Sequence, residues 1–271
     1  MRLDLHTHTT YSDGDLDING NVLEAIKHNL DGIAITDHDN IDSWEEIDNN
    51  NYPITVIKGV ELSTYYKGES VHLLGYYLND GGDYLELNKF LINTRKERIE
   101  RLNKIIDLLS KYDIILTPKE IIREADGAVA RPHIARAIMK KYSDRGYTKE
   151  YIFDNYIGND APCYVPVNNF QTEDAVKLLH DNHCLAVVAH PLYIKKFNYR
   201  ELKDLGIDGI ESIYPYEFDN SKDVLKFTEK NNLIVTGGSD FHGPRTRDTI
   251  GKTYVDGERS KIFLKTINYK K

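Results

Sequence analysis

Short runs of apolar residues alternate along this chain with longer segments in which apolar positions recur every three or four residues. The short runs predict β-strands and the longer segments amphipathic helices, an alternation typical of α/β proteins. Residues 33–35 and 187–189 are apolar at every position, as expected of parallel strands that helices cover on both faces. The predicted strands are residues 2–6, 32–36, 55–62, 71–77, 185–189, 209–213, 233–237 and 249–255. The predicted helices between them are residues 21–29, 41–49, 172–181, 199–205 and 221–231.

The middle of the chain has a different pattern, without apolar runs of the strand type. Residues 84–112 predict one long and highly charged helix, and residues 131–141 and 148–155 are also helical in pattern. Thr117-Pro118-Lys119-Glu120 has the form of a capping box, with proline at the first helical position. We therefore predict an α/β scaffold made of residues 1–82 and 168–271, and a small helical insertion at residues 83–167.

The composition fits a soluble globular protein, because 40% of the 271 residues are apolar and 29% are charged. A formal net charge of −8 makes duplex DNA an unsuitable partner. No apolar run approaches the roughly 18 residues of a membrane span, and no signal peptide is visible. The two cysteines, Cys163 and Cys184, favour free thiols over a disulfide. These features predict a cytoplasmic protein with no membrane partner and no obligate protein partner.

Residue types that bind metal ions occur at both ends of the chain. Asp4-Leu5-His6-Thr7-His8 places two histidines at alternate positions of the first strand, so both side chains lie on one face. Asp240 and His242 have the same spacing after the strand at residues 233–237. If the two strands are neighbours, four ligand side chains converge, which indicates a metal-dependent enzyme.

Further histidines and carboxylates follow the other strands, and we expect each to lie at the carboxyl end of its strand, where α/β barrels carry their catalytic groups. Asp37 either orients His38 or caps the helix predicted from residue 41. The mixture of imidazole and carboxylate suits manganese, zinc or iron. The ligands are too many for one ion, so we expect two or three divalent ions that share a carboxylate and clamp a phosphoryl oxygen. The candidate metal ligands are His6, His8, Asp13, His38, Glu61, His72, His190, Asp240 and His242.

These residues closely resemble the polymerase and histidinol phosphatase (PHP) family of metal-dependent phosphoesterases. The family motifs occur here, in order, as His6-Thr7-His8, Thr36-Asp37-His38, Gly59-Val60-Glu61 and Ser239-Asp240-Phe241-His242. The resemblance implies a distorted (β/α)7 TIM-like barrel with a trinuclear metal site, in which Asp13 stands where some relatives carry a histidine. It assigns one ion to His6, His8, Glu61 and Asp240, a second to Glu61, His72 and His190, and a third to Asp13, His38 and His242.

A segment of the insertion indicates a subgroup of this family. Ala130-Arg131-Pro132-His133-Ile134-Ala135-Arg136 resembles the Gly-Arg-Pro-His-x-Ala-Arg segment of relatives that act on nucleoside 3′,5′-bisphosphates and trim RNA 5′ ends, although Ala130 replaces the glycine. Arg131 and His133, with free backbone N–H groups at the start of a helix, would form an anion site. Arg136 is a third candidate for substrate binding, and Arg245 either reaches a phosphate or forms a surface salt bridge.

We therefore predict a hydrolase that cleaves a phosphate ester of a nucleotide by a metal-bound hydroxide, with no catalytic side chain beyond the metal ligands. The expected substrate is a nucleoside 3′,5′-bisphosphate or the 5′ end of a short RNA, and the insertion would cover the site and hold a second phosphate. Three alternatives are a histidinol-phosphate or other small-molecule phosphatase, an inactive regulatory PHP module, and an amidohydrolase-type metal barrel.

Overall fold

The computed structural model describes residues 1–122, 131–158, 161–165, 170–216, 221–244 and 249–269. Within these residues, seven strands form one sheet whose spatial order follows the chain. The strands are β1 (Leu3–Thr7), β2 (Gly32–Ile35), β3 (Thr55–Tyr66), β4 (Glu69–Tyr77), β5 (Cys184–Val188), β6 (Gly209–Ile213) and β7 (Ile234–Gly237). The α-helices are α1 (Ile18–Lys27), α2 (Ser43–Asn49), α3 (Leu85–Ser110), α4 (Pro118–Ile122), α5 (Arg131–Lys141), α6 (Lys149–Ile152), α7 (Thr172–Asp181), α8 (Ser221–Lys230) and α9 (Gly257–Thr266). Short 3₁₀ segments cover Ser143–Arg145, Pro191–Tyr193 and Tyr199–Leu205, and Phe153–Ile157 is a π-helical turn.

The sheet is nearly closed into a barrel. β1, β2 and β3 are parallel, as are β5, β6 and β7, whereas β4 runs antiparallel to both of its neighbours. After β7, the backbone N–H of His8 donates to the carbonyl of Phe241 at 2.8 Å, which joins the last strand region to the first. The predicted fold class, a distorted seven-stranded barrel, is confirmed.

The reversed direction of β4 comes from a tight hairpin. Lys67 and Gly68 form a two-residue turn between the paired residues Tyr66 and Glu69, and both have positive φ, at 48° and 76°. Two central residues with positive φ define a type I′ turn, which matches the twist of an antiparallel pair. His72 therefore lies near the amino end of β4, and Glu61 lies in the middle of β3, which continues to Tyr66. The expectation that every candidate ligand ends its strand is wrong for these two residues.

The eighth predicted strand, residues 249–255, is not a strand. Among the described residues of this segment, Val255 alone forms a bridge, an antiparallel one to Leu3. Gly251 has a φ of 83°, and the N–H of Lys252 bonds back to the carbonyl of Thr249 at 3.3 Å. A turn therefore interrupts the run, and Ile250, Thr253 and Val255 are buried without a ladder of hydrogen bonds.

Helices pack on the outside of the sheet through the apolar faces that the sequence pattern predicts. Val22 and Ala25 of α1 are buried in one cluster with Ile33 and Ile35 of β2. Asp17 begins α1, because its side chain accepts the N–H of Gly20 at 2.7 Å. Burial of each large aliphatic side chain contributes about 1.5–3 kcal/mol, so this contact holds β2 and the residues after it in place.

The chain divides into two compact units, one of Met1–Leu91 with Asn169–Lys271 and one of Ile92–Asn168. The second unit has its own apolar core, which includes Ile105, Ile134 and Ile152. The capping box before α4 is present: the Thr117 N–H donates to Glu120 Oε2 at 2.7 Å, and the Glu120 N–H donates to Thr117 Oγ1 at 3.3 Å. None of the described helices is long and apolar enough to cross a lipid bilayer.

Candidate metal centre

Two histidines at the end of the first strand, His6 in β1 and His8 directly after it, face the same pair of carboxylate oxygens; we call them the β1 histidine pair. The Nε2 atom of His6 lies 3.3 Å from Glu61 Oε2 and 3.2 Å from Asp240 Oδ1. The Nε2 atom of His8 lies 3.3 and 3.1 Å from the same two oxygens. Alternate residues of a strand share a face, which is why both imidazoles reach one point. Four donor atoms therefore converge there. Three of them belong to His6, His8 and Asp240, which the sequence spacing predicted to converge. The fourth belongs to Glu61, where His242 was expected.

Glu61 is the centre of the whole arrangement and is 1% exposed. Its Oε1 atom lies 2.8 Å from His72 Nδ1 and 3.0 Å from His190 Nε2. Its Oε2 atom lies 3.1 Å from His38 Nδ1, in addition to its contacts with the β1 histidine pair. The two oxygens thus face different groups of imidazoles, which is the geometry of a carboxylate that can bridge two cations.

Asp13 gathers a third group of nitrogen atoms. Its Oδ2 lies 3.3 Å from His242 Nε2 and 3.6 Å from His38 Nε2, and its Oδ1 lies 3.4 Å from His8 Nδ1. His8 and His38 therefore each turn one ring nitrogen towards Glu61 and the other towards Asp13. All nine predicted metal ligands are brought together in one unit of the protein.

Glu211 was not predicted from the sequence, although it holds two of the candidate ligands. It is fully buried in β6, and its Oε1 accepts the Nδ1–H of His6 at 3.0 Å. Its Oε2 accepts the backbone N–H of His190 at 2.8 Å. In the neutral form of His6, the form that can bind a metal, this contact holds the single ring proton on Nδ1 and leaves Nε2 facing Glu61 and Asp240. A lone acid within the predicted strand Gly209–Ile213 was the available signal.

Two more contacts orient Asp240 and His242. The hydroxyl of Tyr214 donates to Asp240 Oδ2 at 2.8 Å, which leaves Oδ1 facing the β1 histidine pair. The Nδ1–H of His242 donates to the backbone carbonyl of Asp240 at 2.8 Å, which leaves Nε2 facing Asp13. Hydrogen bonds of this kind fix the tautomer and the ring orientation of metal-binding histidines.

Asp37 and Asp4 are buried carboxylates that tie the surrounding backbone together. Asp37 accepts the N–H and the hydroxyl of Thr9, each at 2.8 Å, and the hydroxyl of Ser12 at 2.6 Å. Asp37 thus anchors the loop that carries Asp13. This role differs from the two that the sequence predicted, which were orienting His38 and capping the helix that follows. Asp4 accepts the N–H of Ser239 at 2.9 Å, and burial raises the pKa of Asp4 to about 7.

The pKa values in the cluster are strongly shifted. Burial opposes a charge on His8, but hydrogen bonds to Asp240 and Glu61 outweigh it and raise the pKa of His8 to about 10. Burial lowers the pKa of His38 to about 4, against the attraction of Glu61. Burial also opposes ionisation of Glu61, yet the surrounding imidazoles, His38 and His6 first, hold its pKa well below the usual range. The site is therefore built to keep its carboxylates charged, which favours bound cations.

The residues fit a metal centre by two further observations. Among the described residues, His6 Nε2 and His38 Nδ1 are buried without a hydrogen-bond partner, and such atoms are costly unless something binds them. Four ligands at about 2.0–2.1 Å from a tetrahedral ion are about 3.3 Å apart, which agrees with the 3.1–3.3 Å separations around the β1 histidine pair.

Two of the candidate ligands have strained backbone conformations. His190 has a φ of 29° and Asp240 a φ of 55°, values that residues other than glycine adopt at a cost of order 1–3 kcal/mol. The N–H of Asp240 donates to the carbonyl of His6 at 2.9 Å, which helps to hold this conformation. Such strain persists where the surrounding contacts hold the backbone in place. Here the strained conformations direct His190 towards Glu61 and Asp240 towards the β1 histidine pair.

The predicted substrate residues belong to the second unit. Arg131 is the first residue of α5, and its Nη1 donates to the carbonyl of Ile157 at 3.3 Å. Its guanidinium lies 5.3 Å from the ring centre of Tyr164. His133 is half-buried, and Arg136 is exposed beside the buried Ala135. Ala130 and Arg245 lie outside the described residues.

A barrel that converges imidazoles and carboxylates on one shared glutamate belongs to the class of metal-dependent hydrolases. Residues 4–156, more than half of the 271-residue chain, match the PHP domain, and the chain belongs to the PHP domain family. It is a metal-dependent phosphoesterase, a hydrolase of phosphoester bonds, as predicted.

Similar proteins agree with this class. The chain is 30% identical over 254 residues to the 5′-3′ exoribonuclease Rnm of Salmonella typhimurium, an alignment that covers 89% of this chain and 85% of that protein. It is 26% identical over 256 residues to the 3′,5′-nucleoside bisphosphate phosphatase of Chromobacterium violaceum, with 89% and 87% covered. A solved structure from Bifidobacterium adolescentis, described as a metal-dependent phosphoesterase, has the same fold, with a TM-score of 0.73, 24% identity and 97% and 96% covered.

Proposed function

We propose that this protein hydrolyses phosphate esters of nucleotides, either nucleoside 3′,5′-bisphosphates or the 5′ ends of short RNAs. The observation that carries the proposal is the convergence of imidazoles and carboxylates on both oxygens of the buried Glu61. The relatives support the nucleotide substrate, since one is named an exoribonuclease and another a nucleoside bisphosphate phosphatase.

The proposed centre holds two or three divalent ions, of manganese, zinc or iron. Among the described residues, donor atoms that lie within 4.8 Å of one another form three groups: His6 with His8, Glu61 and Asp240; His8 with Asp13, His38 and His242; and His38 with Glu61 and His72. These groups support the first and third ligand sets implied by the family resemblance. For the second set, we assign Glu61, His72 and His190, because both imidazoles contact Glu61 Oε1.

Such ions, when bound, would polarise the phosphoryl group and lower the pKa of a coordinated water. The protein residues have supporting roles. Glu61 and Asp240 supply the negative charge that holds cations in a buried place, and Glu211 and Tyr214 keep His6 and Asp240 in ligating orientations. The Arg131 guanidinium and the His133 ring would bind the phosphate that is not cleaved.

The first experiment measures phosphate release with added manganese. We expect faster phosphate release from adenosine 3′,5′-bisphosphate than from histidinol phosphate, release of nucleoside monophosphates from a 5′-phosphorylated short RNA, and neither reaction after chelation. His72→Ala and His183→Ala form a matched pair, because each Nδ1 lies 2.8 Å from a carboxylate, Glu61 in one case and the surface residue Asp80 in the other. Only His72→Ala should abolish activity. Absence of release from every phosphoester with every divalent metal would refute the proposal.

A second experiment tests the anion site. Arg131→Ala should reduce activity on a bisphosphate more than on a generic monophosphate ester, because only the bisphosphate has a second phosphate to hold. Equal losses on both substrates would contradict this role. Arg145→Ala is a control on the same unit, since Arg145 is an exposed arginine that lies 4.4 Å from the ring centre of Tyr142.

The cysteines support the proposed location. Cys163 and Cys184 are both free and buried, which suits a reducing compartment. We therefore propose that the protein acts in the cytoplasm.

A further inference from the structure

Four exposed cationic side chains lie together where the β3–β4 hairpin meets the loop that follows His190. We call them the basic rim: Lys67, Lys195, Lys196 and Arg200. The Nζ of Lys196 donates to the carbonyl of Gly68 at 2.7 Å, and the Nζ of Lys67 forms an ion pair with Glu201, the residue after Arg200. Residues 66–69 and 194–201 contain these four cations and two carboxylates, so the segments are positive in a chain whose formal net charge is −8.

The backbone that carries these cations is held by side-chain contacts. Glu69, at the start of β4, uses both carboxylate oxygens: Oε1 accepts the N–H of Lys195 at 2.9 Å, and Oε2 accepts the N–H of Lys196 at 2.6 Å. The side chain of Asn198 accepts the N–H of Arg200 at 3.1 Å. The basic rim is therefore positioned before a ligand arrives, which lowers the entropy lost on binding.

The basic rim lies beyond the metal centre at the same end of the barrel. β3 continues five residues past Glu61 to Tyr66, about 16 Å farther along the strand. β4 then returns from the hairpin to His72, which pairs with Ser63. The loop that carries Lys195 and Lys196 begins at His190, whose Nε2 lies 3.0 Å from Glu61 Oε1. Strand and loop thus join three of the candidate metal ligands directly to the basic rim.

We propose that the basic rim binds the phosphodiester backbone of a single-stranded RNA whose 5′ end lies at the metal centre. This inference rests on the proposed function, and of its two substrates it favours short RNA. A nucleoside bisphosphate is one nucleotide long, whereas an RNA strand continues from the metal centre past the hairpin and offers further phosphates to these cations. Contacts with phosphates carry no sequence information, so the basic rim would bind RNA of any sequence.

The test measures kcat/KM at constant manganese and increasing sodium chloride for a 5′-phosphorylated six-nucleotide RNA and for adenosine 3′,5′-bisphosphate. For wild-type protein, log kcat/KM should fall more steeply with log salt for the RNA. Each phosphate neutralised on a single strand contributes about 0.7 to this slope, so Lys195→Ala combined with Lys196→Ala should reduce the RNA slope by roughly 0.7–1.4. The slope for the bisphosphate should stay as in the wild type.

Two further double variants serve as controls. Lys195→Arg combined with Lys196→Arg should keep the wild-type RNA slope, because the charge of the side chain is what neutralises a phosphate. Lys261→Ala combined with Lys265→Ala should also keep it. These two lysines are exposed on α9, which contacts Met1 at the amino end of the barrel through Ser260.

The outcomes separate this inference from the proposed function. If the double alanine variant at Lys195 and Lys196 keeps the wild-type RNA slope, or reduces the slopes for both substrates equally, contact with the RNA strand is refuted while nucleotide hydrolysis stands. If wild-type protein hydrolyses the bisphosphate and not the RNA, the basic rim is again refuted and the proposed function holds for single nucleotides. If it hydrolyses neither but does hydrolyse another phosphoester, the proposed substrate class is wrong and this inference fails with it.

Discussion

Replacement of Glu211 by glutamine should impair metal binding although Glu211 itself is not a proposed ligand. The carboxylate accepts two hydrogen bonds, one on each oxygen, from His6 Nδ1 and from the backbone of His190. A glutamine has one acceptor oxygen and one NH₂ group, so one of the two N–H donors would meet another donor. Either the His6 ring changes its tautomer, which places a proton on the nitrogen that faces Glu61, or the His190 turn moves.

The size of the effect follows from these contacts. Loss of the partner that orients a metal-binding histidine typically lowers metal affinity about 10- to 100-fold, which is about 1.4–2.8 kcal/mol. Because Glu211 is fully buried, the unpaired N–H group should also lower the free energy of unfolding of the metal-free protein by about 1–3 kcal/mol. The two effects are measured separately.

The assay is competition for manganese or zinc against a chelating dye, with urea unfolding of the metal-free protein in parallel. Asp208→Asn is the matched control, because Asp208 also bonds a histidine, His180 at 2.8 Å, and a backbone N–H, that of Ala186 at 2.7 Å, outside the proposed ligand set. It should keep wild-type metal affinity. The reasoning is refuted if Glu211→Gln binds metal as tightly as wild type, or if both variants lose the same affinity.

Three other predictions follow from the contacts described above. Tyr214→Phe frees Asp240 Oδ2 from its hydrogen bond, so metal affinity in the same competition assay should fall several-fold; unchanged affinity would contradict the orienting role. Gly68→Ala should lower the free energy of unfolding in urea by about 1 kcal/mol, because a residue with a Cβ disfavours the left-handed φ of 76°. A steric clash is not the cause, since the added Cβ would meet nothing within 4 Å. No loss of stability would argue against the type I′ turn. Burial raises the pKa of the Cys163 and Cys184 thiols, so both should stay protonated and resist iodoacetamide at pH 8 until the protein is unfolded, and rapid labelling of native protein would contradict this.

Local pattern was sufficient to predict most of the elements. The predicted bounds of strand Gly209–Ile213 and helix Thr172–Asp181 agree with the structure. In both elements, the apolar residues that set the hydrophobic period are also the residues that become buried. Neighbouring positions in the chain were therefore sufficient to predict the bounds. The run at residues 249–255 failed because one glycine with positive φ, Gly251, turns a pattern that is otherwise apolar and β-branched.

Residues whose roles depend on distant partners could not be predicted in the same way. Glu211 and Tyr214 are ordinary residues of their own segment, and their contacts with His6 and Asp240 arise only when β6 lies between β5 and β7. The antiparallel course of β4 turns His72 towards Glu61, and it depends on the two-residue turn formed by Lys67 and Gly68. A pattern of hydrophobic positions does not predict such a turn, because the turn depends on the Lys-Gly pair itself.

The sequence by itself determined the chemistry of this protein: which residues can bind metal, that they lie in or directly after successive barrel strands, and that they suit divalent cations. Residue type and spacing along a strand decide these points, because they are local properties of the chain. Only the tertiary structure decided how the ligands are shared. Glu61 faces different imidazoles with its two oxygens, His8 and His38 each face two carboxylates, and Tyr193 stands beside His190. These relations join residues far apart in the chain, and their distances exist only after the sheet curves and nearly closes.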